Sequence, residues 1–255
     1  MKDRVQAIAL PVMAAAAFVT AWHLAVRLTG SDVFPTPGMV VAGLIELARK
    51  GVLVENVVAS LLRVAGGYLL AVLVGLPFGL FLGWFASARR AFHPAIQVLR
   101  PISPIAWIPV AILWFGASDL VPVFLIFLAS LFPITAAAMA AVQNIQPVYI
   151  RVAQNFGIRG LELFKKVVFP AVLPQILTGL RLALGIAWLV VVAAEMIAVD
   201  SGPGLGHLII DARNAGERYD LVVAGMVMIG LIGLGLDLLI RQMEKLDEVR
   251  WSLGR

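Results

Sequence analysis

The sequence predicts an all-α polytopic membrane protein with about six transmembrane helices, and three observations carry that prediction. The first is composition: 61% of the 255 residues are hydrophobic and the mean hydropathy is +0.97, where a soluble domain is about half apolar. The second is the recurrence of uncharged runs of about 20 residues, the length that crosses about 30 Å of hydrocarbon. The third is where the basic residues fall. Lys and Arg sit at the ends of the apolar runs, so the net charge of +5 and pI near 10 reflect topology and not a nucleic-acid-binding face. The chain has no cysteine, which removes disulfides and thiolate metal sites.

Taken in order, residues 6 to 28 form the first predicted span. The opening Lys2 and Arg4 followed by apolar residues imitate a signal peptide, but the uncharged stretch from Val5 to Val26 is longer than a usual signal core, so it reads as a retained span. Pro35 and Pro37 then break the chain, and residues 38 to 50, which carry Glu46, Arg49 and Lys50, read as a short interfacial helix. The second span is 60 to 85. Its glycines at 66, 67, 75, 79 and 83 would let neighbouring backbones approach, placing it among other helices. Residues 100 to 119 are apolar but interrupted by Pro101, Pro104 and Pro109. Proline removes a helical hydrogen bond, tolerable only within protein or beside a cavity, so a third span is expected near the centre. The fourth span is 120 to 142, the fifth 171 to 199 and the sixth 221 to 240. Between the last two, residues 201 to 220 read as a glycine-rich polar excursion, and 241 to 255 as a charged tail. The whole chain reads as a single transmembrane domain: an N-terminal span in 1–34, an outer interfacial segment in 35–58 and a core in 59–255.

Six spans put both termini on one side. The termini with segments 86–100 and 151–181 hold 14 Lys and Arg, the opposite side six. The positive-inside rule therefore places both termini and the 151–170 loop in the cytoplasm.

That loop, RVAQNFGIRGLELFKKVVFP, interleaves apolar and basic residues in a way that predicts two short amphipathic helices bent at Gly157 and Gly160. Ala153, Gly157 and, nine residues further, Val167, Phe169 and Pro170 resemble the EAA signature of bacterial ABC-importer permeases, with Arg151 and Val152 standing where that signature has Glu and Ala. The resemblance extends through PISPIAWIPVAILWFG (101–116), TGLRLALGIAWLVVVAAEMI (178–197) and the SGPGLG turn, which are similar to the nitrate, sulfonate, taurine and bicarbonate branch of the binding-protein-dependent permeases.

This resemblance implies a bacterial inner-membrane subunit acting as a homodimer in the lipid bilayer. Its other partners would be two cytoplasmic ABC ATPase subunits and a periplasmic or lipid-anchored solute-binding protein. ATP and Mg would be bound by the ATPase partner and no cofactor by this chain. Residues Arg151, Ala153, Asn155, Phe156, Gly157, Arg159, Gly160, Phe164 and Pro170 would form the ATPase-docking coupling helix. The chain would be a transport subunit and not an enzyme, and its solute a small anion such as nitrate, a sulfonate, taurine or bicarbonate.

The remaining residues agree. No Walker P-loop occurs; the chain contains no Gly-Lys pair. The Gly202, Gly204, Gly206 series follows an apolar helix and not a strand, so it reads as a bend at the outer face. His23, His93 and His207 have no metal-ligand spacing, and Ser103 and Ser130 have no catalytic histidine and read as packing serines. A carboxylate at Glu195 is costly in lipid; either it lines the translocation path or gate, or it is a helix-end carboxylate bonded to backbone. Arg100, Ser103, Trp107 and Trp188 are the other path candidates, and Arg181 reads as snorkelling from the inner end of its span. The competing reading is an ion-coupled carrier or channel built on Glu195 and Asp237, with a membrane enzyme third.

Overall fold

The computed structural model describes residues 2–30, 34–197, 202–216 and 218–243. The final residues of the fifth predicted span, Ser201 and residues 244–255 of the charged tail lie outside them. Among the described residues all regular structure is helical, and five helices are long and apolar enough to cross a membrane, or six if one bent pair counts as a span. The chain divides into two compact units, Met1–Val58 with Pro203–Gly230, and Ala59–Gly202 with Leu231–Arg255.

In the first unit, α1 (Lys2–Thr29) is apolar and largely exposed from Ala9 on, as a lipid-facing helix should be. The short helix α2 (Pro37–Arg49) starts where the sequence places it: Thr36 caps it by accepting from the Met39 amide at 3.4 Å, and Pro37 occupies the first turn, where no N–H is needed. Its inner face contributes Val40 and Leu47 to a cluster with Leu53, Leu208 and Ala224. The stretch read as a polar excursion is in part a helix, α10 (Leu205–Asn214). Leu205, Leu208, Ile209 and Ala212 recur at helical spacing and are buried; the polar residues between them had masked the stripe. Gly204 is extended, and its amide donates to Asn56 Oδ1 at 2.6 Å.

The helix α3 (Val52–Trp84), whose residues from Ala59 on belong to the second unit, begins eight residues before the predicted span, because the apolar run starts at Val52 and Glu55 is tolerated in the first turn. Small residues every fourth position, Gly67, Ala71, Gly75, Gly79 and Gly83, make one seam of it. That seam lies on α6 (Leu120–Gln143): a Cβ on Gly67 would stand 2.5 Å from the Val123 carbonyl, and one on Gly83 2.6 Å from the Val142 side chain. Burial among helices is therefore correct for this face.

The third span is not a continuous helix. Helix α4 (Ala86–Leu99) and the segment Pro104–Phe115, a 3-10 turn (Pro104–Trp107) leading into α5 (Ile108–Phe115), meet at 86°. Nor does it lie at the centre of the chain: α4 buries no residue, and α5 leaves Leu113 83% and Trp114 62% exposed. Three prolines in nine residues prevent the helix from running through. After α6, α7 (Pro147–Asn155) and α8 (Gly160–Leu163) follow, and α8 continues through a π-helical turn (Phe164–Val168) into α9 (Phe169–Ile197). The fifth span thus starts at Gly160 and not at 171. The last helix, α11 (Tyr219–Met243), covers the sixth span.

Candidate functional site

The 147–170 segment has the predicted form: two amphipathic pieces joined at Gly157 (φ 82°) and Gly160 (φ 57°), both in the left-handed region that glycine adopts without strain. The second piece is the first turn of the long helix and not a separate helix. The Gly157 amide donates to the Gln154 carbonyl and that of Ile158 to the Ala153 carbonyl, both at 3.0 Å, which closes the end of α7. Ala153, Leu163 and Val168 point inward and pack with Ala138, Ala141, Val142, Val172 and Ile176. The other face is open. Arg151, Asn155, Arg159, Gly160 and Pro170 are exposed, and Phe156 and Leu161 are 80% and 68% exposed. Phe164 is half-buried with its ring edge-on to Trp84 at 6.2 Å. The π turn falls where Pro170 lacks an N–H and its ring crowds the Lys166 carbonyl, so the helix widens, with the Phe169 amide reaching back five residues to the Phe164 carbonyl. Two large apolar side chains, Phe156 and Leu161, thus stand exposed beside basic residues on a turn whose other face is packed into the helical core.

The second feature lies within the apolar helices. Glu195 of α9 is fully buried. It accepts from Arg63 Nη1 at 2.7 Å and from Ser60 Oγ at 2.8 and 2.9 Å. Arg63, itself 5% exposed, also donates through Nε and Nη2 to Asp119 Oδ1 at 3.2 and 2.5 Å. The partners of Glu195 thus include side chains one turn apart on α3, and its carboxylate is fully buried in this conformation. The signal for this cluster was present in the sequence, since an Arg and a Glu each embedded in an apolar span must find partners; Ser60 and Asp119 carried no such signal. Arg181 likewise does more than snorkel: its Nε donates to Asp237 at 2.7 Å, and Asp237 also accepts from Arg241 at 2.9 Å. Both carboxylates of the carrier reading are therefore held in ion pairs.

Of the other path candidates, Arg100 and Ser103 are exposed in the α4–α5 bend, and Ser103 packs into no helix. Ser130 is fully buried on α6. The turn carrying the half-buried Trp107 lies beside α6 and α9. Trp188 is buried, its indole fitting against Gly233 of α11.

In the first unit, Arg218 links α2 to the start of α11, donating to Glu46 at 2.6 Å and to Asp220 at 3.0 and 3.1 Å. The hydrogen bond from Arg218, then that from Lys50, holds the Glu46 carboxyl down at about 2.

The chain resembles known transport proteins over most of its length. It is 35% identical to the taurine transport system permease protein of Escherichia coli (strain K12), over 88% of this chain and 82% of that protein. It is 32% identical to the nitrate import permease protein of Synechococcus elongatus, over 90% and 86%. Its fold is that of a chain of the MetNI methionine ABC transporter in an inward-facing conformation, with a TM-score of 0.60 over 75% of this chain and 95% of that one at 18% identity. Residues 75–246 match the family of binding-protein-dependent transport system inner membrane components, so the chain belongs to that family and is a multi-pass translocation subunit of an ABC importer.

Proposed function

We propose that this subunit forms a homodimer in a bacterial inner membrane, with both termini cytoplasmic, and imports a small anion of the nitrate, sulfonate, taurine or bicarbonate class. An extracytoplasmic binding protein delivers the solute, and two cytoplasmic ATPases, which hold ATP and Mg, drive its passage. The observation that carries the ATPase partner is the open face of residues 151–170. Phe156 and Leu161 stand free beside Arg151 and Arg159, while the opposite face of the same segment is locked into the helical core. A force applied there enters the α9 helix directly. The anion class is supported by the nitrate and taurine relatives. In the same scheme residues 1–34 act as a lipid-facing anchor and 35–58 as an outer interfacial element, with Arg100, Ser103, Trp107, Trp188 and Glu195 lining or gating the path.

The test uses coupling. Gly157→Pro places a residue locked near φ −65° at a φ of 82° and deletes the amide bonded to Gln154; Phe156→Asp puts a charge on the contact surface. Co-purified with the ATPase subunits encoded beside it and reconstituted, either variant is expected to lose about tenfold or more of ATP-driven uptake while still inserting, the size expected for losing a central interface anchor. Wild-type uptake from both variants overturns the docking assignment.

A further inference from the structure

We propose that the groove between α4 and α6 is a binding site for a small oxyanion at the exit end of the translocation path; the assignment rests on the anion-import reading and deepens it. The groove, about 360 Å³, is lined by Arg89, Arg90, His93 and Pro94 from α4 and by Met139 and Gln143 from α6. It lies at the end of the molecule that bears the docking surface: α3 ends at Trp84 against Phe164, and α6 runs from Gln143 into α7.

Four observations point to an anion. His93 lies one turn from both Arg89 and Arg90 on α4, and all three side chains border the groove. Among the described residues no carboxylate pairs with Arg89, Arg90 or His93, and Arg89 is half-buried, donating to the Gly83 carbonyl at 3.4 Å. The two arginines sit near the N-terminus of α4, whose first turn contains no acidic residue. There the helix dipole adds positive potential instead of cancelling it, so the arrangement is unfavourable until an anion arrives. Finally, the guanidinium fork matches the planar edge of nitrate, carboxylate or sulfonate, the Gln143 amide adds a neutral donor, and Met139 and Pro94 supply an apolar wall. The same chemistry would accept a lipid phosphate, and the experiment separates the two sources.

Because the chain has no cysteine, Gln143→Cys gives a single thiol at the groove. In nanodiscs of phosphatidylcholine, the anionic 2-sulfonatoethyl methanethiosulfonate is expected to label it about tenfold faster than the cationic trimethylammonium analogue, relative to free cysteine, as a cleft of one sign concentrates counter-ions. Added nitrate or methanesulfonate should slow labelling saturably. Both effects should vanish with Arg89→Gln plus Arg90→Gln and persist with the paired Lys substitutions. No charge preference, or protection that survives the Gln pair, overturns the site. Protection that requires phosphatidylglycerol in the disc and ignores free anions also overturns it, in favour of a lipid headgroup. ATP-driven uptake measured in parallel separates the two levels. Import of an uncharged solute, with nitrate protection intact, defeats the anion-import reading and leaves the site; anion import with unchanged KM in the Gln pair defeats the site and leaves the reading.

Discussion

At the scale of single residues, the partners of Arg63 differ in weight. Asp119 is 69% exposed, and an ion pair so open to solvent contributes about 0–1 kcal/mol. Glu195 is buried, and removing one member of a buried pair strands the other charge, at about 3–5 kcal/mol. Glu195→Ala is therefore expected to lower stability in detergent by that order and Asp119→Asn by less than about 1 kcal/mol, whereas Arg63→Met combined with Glu195→Leu should recover most of the loss; denaturant titration of the four proteins checks this. A titrating residue gives a second expectation. Glu46 is lowered from 4.5 to about 2 by its hydrogen bonds to Arg218 and Lys50. Its contribution is thus complete above pH 4.5 and lost as the pH falls from there towards 2. Glu46→Gln should remove that part of the pH dependence, which acid titration of the two proteins would reveal as a smaller stability change between pH 5 and 2.

At the scale of elements, the α3–α6 seam depends on missing side chains. A Cβ at Gly79 would come within 2.7 Å of the Ala138 methyl, so Gly79→Leu should cost at least about 1–3 kcal/mol as overpacking. Gly230, with nothing within 4 Å of a built Cβ, should accept alanine without loss; thermal stability of the two variants compares them directly. Much of this was legible in the sequence, because glycine at 67, 75, 79 and 83 is a pattern that only close helix approach explains. The turn at 157–160 was legible too, from Gly157 and Gly160. The π turn left a trace that is readable in retrospect: the buried positions Leu163, Val168, Val172, Ile176 and Gly179 step by five once and then by four or three. The broken third span and α10 were not legible. Hydropathy adds up residues without regard to direction, so it cannot tell a crossing helix from two short ones at 86°, and the polar residues of α10 hid its five buried ones.

At the scale of the whole molecule, the chain is short of cover. Helix α4 buries nothing within the chain, and Leu113 and Trp114 of α5 are largely exposed. A second copy is the proposed cover for this face. With no native cysteine, Leu113→Cys or Trp114→Cys is expected to give a disulfide-linked dimer on mild oxidation in membranes, while Leu10→Cys on the exposed face of α1 should not; non-reducing electrophoresis reads the result. The positions of the charges were legible at this scale because lipid penalises each one, but their pairing was not, since Arg63 and Glu195 are 132 residues apart. That pairing has a mechanical side. From Gly160 to Ile197 the backbone is a single helical rod of 38 residues, about 57 Å long at 1.5 Å per residue. One end carries the exposed Leu161, and the other the buried Glu195. A push at the first reaches the second without crossing a loop, and the compliant joints of the push-rod, the widened turn at 164–168 and the missing hydrogen bond at Pro174, both lie in its first half, next to the end that is pushed.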